Sequence, residues 1–252
     1  MYPYIEILNL NIPTYGLCVC FAIVLCSILV FDRARKENID FNDLTILIAI
    51  SIGSGMLGGV ILYIFVTYDM QTLYKQIATL NLSFLKNPGI VFYGGLIGGI
   101  LGCVVTTRIL KINVEQVERC IVPFIPLGHA IGRVGCLMAG CCYGFPYCGI
   151  FAVSTTFDIG NSTYFPIQAI EALLNILIMT ALLIYTKKER RKYSVLSFYL
   201  IMYSILRFIL EFYRGDAIRG KYLLFSTSQW ISLILLLFSV IIMIKNSYKQ
   251  KI

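Results

Sequence analysis

The sequence predicts an all-α polytopic membrane protein of about seven transmembrane helices, with the N-terminus outside and the C-terminus cytoplasmic. Three observations carry this expectation. Of 252 residues, 58% are hydrophobic and only 13% are charged, whereas a soluble domain carries about a quarter charged residues. Mean hydropathy is +0.81, and the apolar residues fall in runs close to the ~20 residues that cross ~30 Å of hydrocarbon. Lysine and arginine also sort to alternate sides of those runs.

The expected spans are 13–31, 44–67, 88–110, 120–141, 164–186, 194–213 and 223–244. The fourth is the least apolar, and Pro123, Pro126 and its glycines suggest a broken or re-entrant segment lining a cavity. No cleavable signal peptide is expected, because MYPYIEILNLNIP lacks a basic start and no small-residue cleavage site follows the first apolar run. Segments on one side of the spans hold 14 lysines and arginines, including Arg33, Arg35, Lys36 and the KKERRK loop, against 4 on the other. The positive-inside rule then places the C-terminus in the cytoplasm. The net charge of +8 is therefore a matter of topology, and no nucleic-acid partner is expected. Residues 69–87 fall on the outer side, either as an interfacial helix or as an ordinary loop. With no long linker or repeat, residues 1–252 are read as one domain, and a monomer is expected.

Charges inside the spans are the informative residues, because an unpaired charge in hydrocarbon costs several kcal/mol. Apart from Arg108 at the end of the third span, four stand there: Arg133, Glu171, Arg207 and Glu211. Arg207 and Glu211 are i,i+4 on one helix face, with Tyr203 a turn earlier. Gln168 and Glu171 form a similar face after Pro166. Two readings are open. The pairs either fix helix packing, or two arginines converge on an anion, for which a lipid phosphate is the obvious candidate in a membrane. His129, the chain's only histidine, lies four residues before Arg133 on the same face and is either a general base or a hydrogen-bonded core residue.

Four of the nine cysteines crowd the stretch HAIGRVGCLMAGCCYGFPYC, residues 129–148. Cys136, Cys141, Cys142 and Cys148 with His129 could hold zinc, but the paired C-x2-C pattern is missing, so no metal and no cofactor is expected. A disulfide between Cys148 and Cys141 or Cys142 is the other option in an oxidising space. Cys18, Cys20, Cys26, Cys103 and Cys120 read as small apolar fillers.

GHAIGRVGCLMAGCCYG resembles the signature of the prolipoprotein diacylglyceryl transferase family, G-R-x-G-N-F-x-N-x-E-x-x-G. FYGGLIGG resembles its F-H-G-G-x-x-G, YFPIQAIEAL its H-P-x-Q-x-x-E, and YSILRFILEFYR its Y-x-x-x-R-F-x-x-E-F-x-R. The resemblance runs from about residue 14 to 245. It implies an enzyme of the bacterial plasma membrane that moves the diacylglyceryl group of phosphatidylglycerol onto the lipobox cysteine of a preprolipoprotein signal peptide, releasing glycerol 1-phosphate. Arg133 and Arg207 would hold the phosphate. Tyr203, Glu211, Gln168 and Glu171 would orient the arginines and head group, with His129 as a substitute base. Tyr93, Gly94, Gly95, Gly132, Gly135, Cys136, Cys141 and Gly144 would complete the surroundings of the lipid, the glycines through close helix approach. The sequence departs from the family pattern at Tyr93, where the family has histidine, and at Cys136 and Cys141, where it has Asn and Glu. A relative that serves another acceptor, or a non-catalytic lipid-binding protein, is the alternative expectation.

Overall fold

The computed structural model describes residues 2–7, 10–69, 71, 73–75, 79, 91–155, 162–187, 193–215, 221–222 and 224–249. Helices dominate it, and contacts divide the chain into two compact units: Arg33–Val117, and Met1–Asp32 with Glu118–Ile252.

Helix α1, Thr14–Lys36, closes on Arg33, Arg35 and Lys36, cations suited to the negative end of a helix. The first unit contains α2, Phe41–Thr67, and α3, Phe92–Ile109. The Asp40 side chain caps α2 by accepting from the backbone N–H of Asn42 at 2.8 Å. The two helices pack backbone against backbone. A Cβ at Gly58 would run into the Gly94 carbonyl, one at Gly94 into Gly58, and one at Gly98 into Ser54. Hydrocarbon gives little hydrophobic drive for pairing two apolar helices, so small residues that allow close contact supply the packing instead. The outer-side segment 69–87 falls mostly outside the described residues; 71 and 73–75 are helical.

The second unit opens with a hairpin of β1, Tyr4–Ile7, and β2, Leu10–Pro13, leading into α1. Helix α4, Val114–Ile121, continues through a 3-10 turn at Val122–Phe124 into α5, Ile125–Ala139. Pro123 and Pro126 each lack the N–H an α-helix would use, and the tighter turn absorbs that loss. The break expected in the fourth span takes this limited form. Helix α5 ends on Gly140 in the left-handed conformation, φ 73°. Then come α6, Ile167–Thr186, and α7, Val195–Leu210, which ends in a 3-10 turn at Glu211–Tyr213. Helix α8, Thr227–Lys249, is last. Two short hairpins, β3/β4 (Val153–Ser154 with Thr163–Tyr164) and β5/β6 (Lys221–Tyr222 with Phe225–Ser226), sit in the loops. Helix α5 packs on α6, α6 on α7, and α7 on α8. The start of α7 carries two caps. Ser194 accepts from Ser197 N–H at 3.3 Å, and the Glu118 carboxylate accepts from Val195 N–H at 3.0 Å, an anion at the positive helix end.

Six described segments are long and apolar enough to cross a membrane: Thr14–Lys36, Phe41–Thr67, Val114–Ala139, Ile167–Thr186, Val195–Tyr213 and Thr227–Ile244. The third expected span is a shorter apolar helix, Tyr93–Ile109, and its expected start at 88–90 lies outside the described residues. Half of the apolar window in Val114–Ala139 is buried within the protein, against 17% for α1 and α2. The segment holding Arg133 is thus an internal one.

Candidate active site

Glu171 is 1% exposed in the second turn of α6. A carboxylate so placed needs a cation, and α5 supplies one. Arg133 Nη2 lies 3.0 Å from Glu171 Oε1, while Arg133 Nε donates to His129 Nε2 at 3.2 Å. His129 Nε2 is therefore an acceptor, which fixes a neutral tautomer on that nitrogen; it also lies 3.4 Å from Glu171 Oε1. The His129 ring packs on Tyr203 of α7, with centroids 5.3 Å apart, and Tyr203 packs on Tyr199 at 5.8 Å. Beneath Glu171, the Asn175 amide donates to the Glu171 backbone carbonyl at 2.8 Å. Three helices thus meet at one guanidinium.

The second arginine is held mainly by its own helix. Arg207 Nη2 lies 2.7 Å from Glu211 Oε2, one turn on, and donates to Ser228 Oγ at 3.4 Å. Ser226 Oγ donates to Glu211 Oε1 at 2.9 Å. Gln229 Oε1 accepts from Ser226 N–H at 2.9 Å, so the start of α8 forms a polar cradle under the pair. Arg207 is 2% exposed, and among the described residues its Nη1 is buried without a hydrogen-bond partner, as is Gln168 Oε1. His129 and Glu171 both lie within electrostatic reach of Arg207 as well as Arg133, and Glu171 also within reach of Arg214. The two arginine sites belong to one field.

Beyond Gly140 the chain turns back on itself. Cys142 adopts φ 59°, an unusual angle for a residue with a Cβ, and this brings three sulfurs together. The Sγ atoms of Cys136, Cys141 and Cys142 all lie within 4.8 Å of one another. Hydrogen bonds from the Cys136 and Cys141 thiols, with Arg214 and Arg133 in reach, hold the Cys142 thiol well below the usual cysteine range. Gln168 Nε2 donates to the Cys141 carbonyl at 2.7 Å, tying this turn to α6. Among the described residues no two cysteines are bonded as a disulfide, and the exposed Cys148 is not in the cluster. Its Sγ instead meets the Thr163 hydroxyl at 3.7 Å, so the structure does not take the disulfide option that the sequence left open. His129 is likewise outside the three-sulfur group.

The candidate residues divide between the two units. Arg133, His129, Glu171, Gln168, Tyr203, Arg207, Glu211, Cys136 and Cys141 all belong to the second. There Gly135 packs its backbone on Cys18 and Tyr15 of α1, and Gly132 faces open space. Gly144 is wedged between Phe165 and Tyr213, where a Cβ would come within 2.7 Å of the Phe165 carbonyl. Its neighbours Phe145 and Phe165 stack at 5.1 Å, so Gly144 serves to close the loop that follows the cysteines. Tyr93, Gly94 and Gly95 belong to the first unit, where Gly94 is occupied by its contact with α2. Sequence reasoning missed Ser226, Ser228 and Gln229. Their only signal was a polar S-x-S-Q run opening an apolar helix. It also underrated Cys142 and Arg214, which stand at segment edges.

Comparison with known proteins agrees with this geometry. The family model for prolipoprotein diacylglyceryl transferase matches residues 3–245. The chain is 33% identical to phosphatidylglycerol–prolipoprotein diacylglyceryl transferase 2 of Clostridium perfringens, over 98% of this chain and 95% of the relative. It is 30% identical to the phosphatidylglycerol–prolipoprotein diacylglyceryl transferase of Clostridium tetani, over 98% of each, and 28% identical to that of Listeria monocytogenes, over 98% of this chain and 90% of the relative. A match over nearly the whole length, on a helical bundle that pairs Arg133 with Glu171 and Arg207 with Glu211, makes the chain a member of the prolipoprotein diacylglyceryl transferase family.

Proposed function

We propose that this chain is a multi-pass enzyme of the bacterial plasma membrane that transfers the diacylglyceryl group of phosphatidylglycerol to the lipobox cysteine of preprolipoproteins. The observation that carries the reading is the pair of arginines, each oriented by its own carboxylate, both within electrostatic reach of His129. In the reaction the acceptor thiol gives up its proton and its sulfur bonds to the terminal glycerol carbon of the diacylglyceryl group. The carbon–oxygen bond to phosphate breaks, its electron pair stays on the phosphate, and glycerol 1-phosphate leaves. Negative charge grows on the leaving oxygen, where guanidinium groups already fixed in place stabilise the transition state without reorganising.

Arg133 and Arg207 hold the phosphate in this reading. Glu171, His129, Glu211 and Tyr203 position the two guanidiniums, and the unpartnered Arg207 Nη1 and Gln168 Oε1 are free to meet the head group. The open space beside Gly132 supports entry of lipid there. His129 Nε2 already accepts from Arg133, which favours a positioning role for it over that of base. One transferase domain spanning residues 1–252 works as a monomer, with seven spans, the N-terminus outside and the C-terminus cytoplasmic; the distribution of lysine and arginine supports this topology.

The test is complementation of a bacterium depleted of its own transferase, read as a mass shift of one diacylglyceryl group on a reporter lipoprotein. Lipidation is the expected result. A well-expressed, correctly inserted chain that leaves the reporter unmodified would overturn the proposal.

A further inference from the structure

Three sulfurs that converge in a membrane protein need an explanation. Cys136 comes from the last turn of α5, one turn after Arg133, and Cys141 and Cys142 from the turn beyond Gly140. Cys136 is buried and the other two are half-buried. With metal–sulfur bonds of about 2.3 Å in the tetrahedral geometry of zinc, three sulfurs around one ion lie about 3.8 Å apart. The observed group, all within 4.8 Å, needs only small side-chain rotations to reach that spacing. Its charge is also met. Three thiolates around a divalent ion leave one net negative charge, and Arg133 and Arg214 lie within electrostatic reach of the cluster. The left-handed Cys142 backbone and the Gln168 bond to the Cys141 carbonyl hold the turn in the shape that gathers the sulfurs.

We propose that Cys136, Cys141 and Cys142 form a binding site for a thiophilic metal ion of the zinc class, with three thiolate ligands and a fourth coordination position open to water or an external thiol. Soft sulfur ligands select zinc and its congeners over magnesium or calcium. Three protein ligands with one open position is the arrangement of a reactive zinc site rather than a closed structural one. The sequence pattern hid this because the ligands are spaced 136, 141, 142 instead of as two C-x2-C pairs. Resting on the transferase reading above, the open position takes the acceptor cysteine. Coordination releases the thiol proton to solvent, zinc holds the thiolate, and that sulfur attacks the glycerol carbon while the carbon–oxygen electron pair leaves with the phosphate. Zinc keeps its charge throughout and no separate base is required.

The test uses the full chain, reduced and metal-free, in detergent or nanodiscs and with a tag lacking histidine. Zinc is titrated against a chromophoric chelator, and cadmium serves as an optical probe through its sulfur-to-metal absorption. One ion per chain is expected, with three thiols shielded from alkylation. Cys136→Ser, Cys141→Ser and Cys142→Ser should each weaken binding at least tenfold. A chain with the other six cysteines replaced by alanine should bind as the parent does, which guards against loss through misfolding. Absence of stoichiometric binding, or binding that survives loss of all three cluster cysteines, overturns the site.

A second readout tests the role. Transfer to a reporter peptide should fall at least tenfold on metal removal and return with zinc. Full activity of the metal-free chain would overturn the acceptor role. A chain that transfers nothing with or without zinc refutes the transferase reading instead, and the site then stands on its stoichiometry.

Discussion

The two paired arginines are held in different ways. Arg133 on α5 is tied directly to Glu171 of α6, with His129 against both and Tyr203 of α7 against the histidine, so its position depends on three helices packing correctly. Arg207 is tied to Glu211 on its own helix, and Ser226 at the end of β6 and Ser228 in the first turn of α8 add their hydroxyls. One guanidinium is placed by tertiary structure and the other largely by helical geometry. Loss of a partner should therefore unsettle the first more than the second, even though the proposal gives both the same phosphate.

The largest expected effect treats the two alike. Arg133→Ala and Arg207→Ala should each cut diacylglyceryl transfer by about 10²-fold or more, the scale for losing a preorganised charge donor. This is measured with purified variants at equal membrane insertion, and activity within tenfold of the parent would remove that arginine from the phosphate. Next, Glu171→Gln should destabilise the fold by about 3–5 kcal/mol, because it strands a buried guanidinium. Glu211→Gln should cost less, since that arginine keeps its helix position and the Ser228 contact. Unfolding in nanodiscs reads both, and equal losses would erase the distinction between the two sites.

His129 sharpens the same contrast. A glutamine amide oxygen in place of the imidazole can still accept from Arg133, so His129→Gln should retain activity within a few-fold. His129→Leu removes that acceptor and should lose tenfold or more without changing the pH profile. Equal losses in both, with a shifted profile, would make the histidine a base. Smallest of all, Ser228→Ala removes one weak hydrogen bond to Arg207, so a stability loss of about 1 kcal/mol with a severalfold rise in KM is the expected reading.

The helical membrane architecture was legible from composition and run length, because hydrocarbon leaves few ways to satisfy a backbone. So was the Arg207–Glu211 pair, since a separation of four residues on a helix is already a contact. The Arg133–Glu171 pair was legible as two charges needing partners, but the partnership itself depends on how α5 packs against α6. The serines of α8 were silent because short hydroxyl residues are common at helix starts. The cysteine stretch was misleading in a specific way. Local spacing made Cys148 look like a disulfide partner, while the left-handed turns at Gly140 and Cys142 sent Cys141 and Cys142 back toward Cys136.

By itself, then, the sequence determined an apolar helical chain with four charges inside it, the i,i+4 geometry of Arg207 and Glu211, and the motifs that mark the family. Only the tertiary structure decided that Arg133 meets Glu171 across α5 and α6, that α8 supports the second arginine, and that three of nine cysteines converge. The physical reason is range. Hydropathy and helical periodicity act over one or two turns, whereas a buried charge or thiol finds its partner through packing between segments far apart in the chain.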